Sequence, residues 1–194
     1  MWFKLILWLF LLSLCWLPGL SEASPEDVVV ESSTEPTHID IPSIGVDANI
    51  FEYTNEMVNE TGGTVDPEYM DDVAWWSGGG RPGATLSNTV DTPELVDFTV
   101  FLYGHSSNND DRKVVFDDLD LLTTNDQIFI DTEVGQFVYI VDSVFILEKP
   151  DFTADSRILE DIPGRLLLIS CWRSWSGAAP TTENVVVIAN LVGN

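Results

Sequence analysis

Once the apolar N-terminal segment is set aside, a single cysteine remains in the chain, Cys171, at the end of the apolar run Leu166-Leu167-Leu168-Ile169-Ser170. Of the two histidines, His105 also follows a strand-like run, Phe98 to Tyr103. These residue types can do acyl chemistry together. A cysteine attacks a carbonyl as its thiolate, and a histidine within hydrogen-bond reach takes the proton or holds an ion pair with the sulfur. The two are 66 positions apart (171 minus 105), a separation that pairing within a sheet closes. The tetrahedral intermediate then needs hydrogen-bond donors or a positive charge beside its oxyanion. By residue type alone the plainer alternative stays open, a thiol packed as a small hydrophobe and a solvated loop imidazole.

The elements that would position such a pair read almost entirely as strands. Ile39 to Ile44 and Ala48 to Tyr53 flank Gly45 and Asp47, and Val73 to Trp76 precedes the triple glycine Gly78 to Gly80. Phe98 to Tyr103, Gln127 to Asp131 and Gln136 to Leu147 follow, the last two joined by a tight hairpin over Thr132 to Gly135. Their β-branched and aromatic content favours the pleated sheet. Leu166 to Cys171 and Asn184 to Leu191 are continuous apolar runs, as in strands buried on both faces. Short helices are expected at Asp66 to Asp72 and Phe116 to Leu122. Short strands with glycine, proline and asparagine punctuation predict an all-β fold, a closed or nearly closed barrel. Three long connections, 77–97, 148–164 and 172–183, are the expected walls of a cleft, since sites are built on loops carried by a rigid scaffold.

The chain opens with Lys4, an uncharged run from Leu5 to Trp16, and the small-residue stretch Ser21-Glu22-Ala23-Ser24. This is the pattern of a secretory signal cut after Ala23. The run is shorter than the ~20 residues that cross a bilayer, which favours a cleaved signal over a retained anchor; a retained segment would tie the domain to the membrane. Leu14 before Cys15 argues against a lipoprotein cut. Residues 24–36 read as an acidic tether, with Val28 to Val30 an optional edge strand, and residues 37–194 as one folded domain. In an exported chain an unpaired cysteine is unusual, because oxidising compartments close disulfides.

Eight Lys and Arg stand against 32 Asp and Glu, for a net charge of −24. Nucleic acid and anionic lipid surfaces are therefore disfavoured as partners, because holding a polyanion depends on Lys and Arg. Asp110, Asp111, Asp117, Asp118 and Asp120 lack the regular spacing of a calcium loop and read as solvated charges, so no metal or other cofactor is expected.

Several segments, in order, resemble the sortase family. Ile39-Asp-Ile-Pro-Ser-Ile-Gly-Val-Asp-Ala-Asn-Ile50 is similar to that family's first strand pair, and Trp75-Trp76 with Pro82-Gly83 to the stretch before its catalytic histidine. Phe101-Leu-Tyr-Gly-His-Ser106 resembles the Gly-His segment, and Val115 to Ile128 the segment after it. Leu166-Leu-Leu-Ile-Ser-Cys-Trp172 resembles the strand ending in Thr-Cys, with Ser170 in place of the threonine. The resemblance covers roughly residues 38 to 192. It implies a closed eight-stranded barrel with one or two short helices, and a cofactor-independent cysteine transpeptidase at the cell surface. Such an enzyme cuts a Leu-Pro-x-Thr-Gly-type motif of a surface protein through a thioester and passes the acyl group to an amine, a cell-wall peptide or a pilin lysine. His105 would be the acid/base and Cys171 the nucleophile.

The chain departs from the pattern at the family's third catalytic residue, an arginine at the start of the strand after the cysteine. Here that place reads Pro180-Thr-Thr-Glu-Asn184. Of the five arginines, Arg81, Arg112, Arg157, Arg165 and Arg173, the last lies two residues after the thiol and is the best-placed substitute, with a solvated loop cation as its plainer reading. Thr181, Thr182 and Asn184 are the neutral alternatives that would hold substrate. The stretch Asp91 to Asp97 lengthens the approach to the histidine strand and reads as a surface insertion or a flap. The missing arginine also keeps two other readings open, a degenerate barrel that binds peptide without cutting it and a thiol hydrolase that uses water.

Overall fold

The structure, a computed structural model, describes residues 34–83, 99–106, 113–172 and 181–192. Eight strands run in chain order as β1 (Pro36–Ile41), β2 (Val46–Tyr53), β3 (Val73–Trp76), β4 (Val100–Tyr103), β5 (Gln127–Thr132), β6 (Gly135–Glu148), β7 (Arg165–Cys171) and β8 (Glu183–Leu191). They close into a barrel in the order β1-β2-β3-β4-β7-β8-β6-β5, with β1 paired to β5. The pairings β2–β3 and β4–β7 are parallel and the other six antiparallel.

Each strand expected from Ile39 onward is present, Val73–Trp76 as expected and the others with shifted ends. The first stops at Ile41 rather than Ile44, because Pro42 has no N–H to give a ladder and Gly45, at φ 68°, closes the turn into β2. The helix expected over Asp66 to Asp72 is absent; that stretch is bends and turns, and its carbonyls serve other segments. Phe116 to Leu122 is a turn with a single 3₁₀ turn at Leu119–Leu121. Two short helices lie elsewhere, α1 (Asn55–Glu60) and α2 (Ser156–Leu159). Each begins at a side-chain cap, Thr54 accepting from the Met57 N–H and Asp155 from the Arg157 N–H. Asp117 is not a solvated charge: it is buried and accepts from the Val114 N–H at 2.9 Å, while Asp118 pairs with Lys113 at 2.8 Å. The signal segment, the tether as far as residue 33, the stretch Asp91 to Asp97, and Asp110 and Asp111 lie outside the described residues.

The unbroken apolar run of β7 has a direct cause. Leu166 and Leu168 point into the barrel with Ile39, Trp75, Val141 and Val187, while Leu167 and Ile169 pack on the outer face with Ile158 and Val186. Phe101, Tyr103 and Phe152 extend this outer cluster. The segment between β6 and β7 thus folds back over β7 and β8. Its return is tied to the barrel by the Thr99 N–H donating to Asp161 Oδ1 at 2.9 Å and by Arg165 donating through Nε to Thr99 Oγ1 at 3.1 Å and through Nη2 to the Glu160 carbonyl. Burial pushes the Arg165 guanidinium below its usual range, opposed by Glu160 and Asp161. This arginine is structural.

Candidate active site

Strands β4 and β7 run parallel with a constant offset of 66 residues (166 minus 100), from Val100 opposite Leu166 to Tyr103 opposite Ile169. Continued two residues further, the same offset sets position 105 against position 171. Three hydrogen bonds hold the chains together beyond the last pair. The Gly104 N–H donates to the Ile169 carbonyl at 3.2 Å, the buried Ser170 hydroxyl to the Gly104 carbonyl at 2.8 Å, and the Ser106 hydroxyl to the Cys171 carbonyl. The His105 carbonyl itself accepts from the Phe116 N–H at 3.0 Å. His105 and Cys171 therefore leave the barrel side by side from two stitched strand ends.

Gly104 is the tight point of this arrangement. A β-carbon there would lie 2.4–2.8 Å from ring carbons of Phe116, a side chain with no exposed surface. Gly104→Ala is expected to lower unfolding stability by about 1–3 kcal/mol, the usual cost of overpacking, read from urea denaturation curves of the two proteins.

The imidazole of His105 is held from the opposite side. Its Nε2 lies 2.7 Å from the Pro67 carbonyl and 3.9 Å from Asp66 Oδ1. A carbonyl only accepts, so Nε2 carries a proton, and Nδ1 is the nitrogen with no hydrogen-bond partner among the described residues. The turn expected to be helical thus serves as the histidine's support.

Cys171 is a half-buried free thiol, paired in register with Asn184 of β8. Its sulfur lies 3.4 Å from the ammonium of Lys149, which also donates to Thr181 Oγ1 at 3.1 Å. Lys149 follows the last residue of β6, and its backbone N–H donates to the Thr182 carbonyl at 2.8 Å. Arg165 stands at the other end of β7, six positions and roughly 20 Å of strand from the thiol at ~3.3 Å per residue. Arg173 lies outside the described residues.

Cys171, His105, Lys149 and Asn184 all line one cleft of about 760 Å³. Trp76, Phe101, Tyr103 and Ile169 form apolar wall on the barrel side, and Phe152, Ile158 and Leu159 on the side of the β6–β7 segment. Val58 and residues Gly63 to Pro67, from the connection between β2 and β3, form a further wall. Burial pushes the Tyr103 phenol far above its ordinary range, so it stays neutral. The volume, and apolar walls interrupted by polar groups that include Asp66, Lys149, Glu160 and Asp161, are those of a ligand cleft.

Of the residues expected to act, the structure brings together Cys171, His105 and Asn184, with Thr181 reached through Lys149. Thr182 is exposed and contributes its carbonyl rather than its hydroxyl. Lys149 is the residue the sequence reading missed. The signal was its place directly after the longest strand, but only the pairing of Glu148 with Glu183 shows that this strand ends beside the start of β8.

An eight-stranded barrel that sets a histidine and a cysteine at neighbouring strand ends over a peptide-sized cleft defines a class of thiol acyl-transfer proteins. The model of the Sortase domain matches residues 39–192, and the chain belongs to the sortase family, whose members are cysteine transpeptidases. No protein of curated function matches it in sequence. Among solved structures, sortase C-1 from Streptococcus pneumoniae is similar with a TM-score of 0.55 and 17% identity, over 81% of this chain and 67% of that one. Sortase C-1 from Actinomyces oris gives 0.55 and 19%, over 82% and 76%. A lid mutant of sortase A from Corynebacterium diphtheriae gives 0.57 and 18%, over 86% and 74%. At these identities the likeness is one of fold.

Proposed function

We propose that this sortase acts outside the membrane on a Leu-Pro-x-Thr-Gly-type peptide of a surface protein, using Cys171 as nucleophile and His105 as acid/base. The observation that carries this reading is the stitched end of β4 and β7, which holds both residues at the rim of one apolar cleft. The Cys171 thiol gives its proton to His105 Nδ1, its sulfur attacks the threonine carbonyl, and the new C–S bond gives a tetrahedral adduct as the C=O π pair moves to oxygen. The adduct collapses to a thioester as the C–N bond breaks, and His105 gives the leaving amine its proton. An incoming amine then attacks the thioester and returns a proton to His105 as the C–S bond breaks. The acceptor is a cell-wall peptide amine or a pilin lysine, and no cofactor is needed for any step.

Product masses separate transfer from hydrolysis. With a sorting-motif peptide and an added amine acceptor, the main product is expected to carry the acceptor. A product that carries water at every acceptor concentration contradicts transpeptidation and makes the chain a hydrolase.

A further inference from the structure

We infer that Lys149 supplies the positive charge at the reacting sulfur and the oxyanion, taking the place of the arginine that the start of β8 lacks. This rests on the reading of Cys171 as the nucleophile. The Lys149 ammonium lies 3.4 Å from the Cys171 sulfur, and Lys149 is the sole lysine or arginine among the described residues of the cleft. The other described cations are committed elsewhere. Arg81 pairs with Glu35 at 3.0 Å, Lys113 with Asp118, Arg157 with Asp155, and Arg165 is buried against Thr99 and Glu160. In a chain with 32 carboxylates, Lys149 forms no salt bridge with a described one and sits at the thiol instead.

Its position is built. The Thr182 carbonyl anchors its backbone, and Thr181 Oγ1 accepts one of its three ammonium protons at 3.1 Å. A second proton faces the sulfur, and the third, without a partner among the described residues, is left for the oxygen of the tetrahedral adduct, which forms on the carbon bonded to that sulfur. The strand register explains how a lysine directly after β6 reaches a site expected to be served from β8. Glu148 pairs with Glu183 and Cys171 with Asn184, so the ends of β6, β8 and β7 lie in a row. The cation comes from one strand over. In the free protein Lys149 is exposed, where a charge contact is weak; a peptide seated in the cleft excludes water from the pair and strengthens it.

The test measures cleavage of a fluorogenic Leu-Pro-x-Thr-Gly peptide by the full chain and by Lys149→Met, Lys149→Gln, Lys149→Arg and Cys171→Ala, with thermal unfolding of each. Both neutral variants are expected to fold as the parent does and to lose about 10²- to 10³-fold in kcat with KM little changed, the cost of one oxyanion donor. Lys149→Arg is expected to recover most of that loss. Wild-type kcat in the neutral variants, with Cys171→Ala inactive, overturns the role of Lys149 and leaves the proposed function standing. An equal loss in Lys149→Arg also overturns it, because the effect would then follow shape rather than charge. Wild-type cleavage by Cys171→Ala overturns the underlying reading itself.

Discussion

Cys171→Ala is expected to abolish peptide cleavage while leaving the fold intact. The substitution removes the sulfur that forms the thioester, and the hydroxyls beside it are engaged otherwise: Ser170 is buried and donates to the Gly104 carbonyl, Ser106 donates to the carbonyl of residue 171, and Thr181 accepts from the Lys149 ammonium. In a well-studied hydrolase the loss of the nucleophile costs on the order of 10⁶ in kcat, so the residual rate should be undetectable in an ordinary assay. Stability should hardly move. Cys171 ends β7 half-exposed, outside both buried clusters, and alanine keeps the backbone pairing to Asn184. Thermal unfolding together with cleavage checks both halves of the expectation.

His105→Ala is expected to lower cleavage of an amide substrate by about 10²- to 10⁴-fold, the worth of a positioned general acid or base. The imidazole is held at Nε2 by the Pro67 carbonyl, which leaves Nδ1 to exchange the proton. If that proton goes to the leaving amine, the need for it falls when the leaving group is good. A peptide with an ester in place of the scissile amide should therefore be cleaved by His105→Ala at a rate much closer to that of the parent. A merely structural role for His105 predicts equal losses on amide and ester. Comparing the two substrates on the two proteins decides between these roles.

The strands were legible in the sequence because their signals are local. Alternation in β2 and the unbroken run of β7 both reflect burial, on one face and on two. The helices were not, for reasons also visible in the residues. Helix α1 buries nothing, so Asn55 to Glu60 carries no apolar stripe to detect, only the Thr54 cap. Asp66 to Asp72 is polar and begins beside Pro67, and it forms turns whose carbonyls hold His105 and Val115. The pair of Cys171 and His105 was found from residue type and order, since the motifs around each lie in short stretches of chain. Lys149 was not, because its relation to Cys171 depends on the pairing of β6 with β8 and on a side chain crossing between strand ends. The expectation for a cation near Cys171 pointed to Arg173, two positions away in sequence, and the structure puts a lysine 22 positions away.

The intact mass of the full chain after incubation with a sorting-motif peptide, in the absence of an amine acceptor, tests the central claim most directly. The account predicts a gain equal to the acyl portion of the peptide up to its threonine, reversed when an amine is added and absent from Cys171→Ala. A peptide that is cleaved without any such adduct, or an adduct of the same mass on Cys171→Ala, would contradict it.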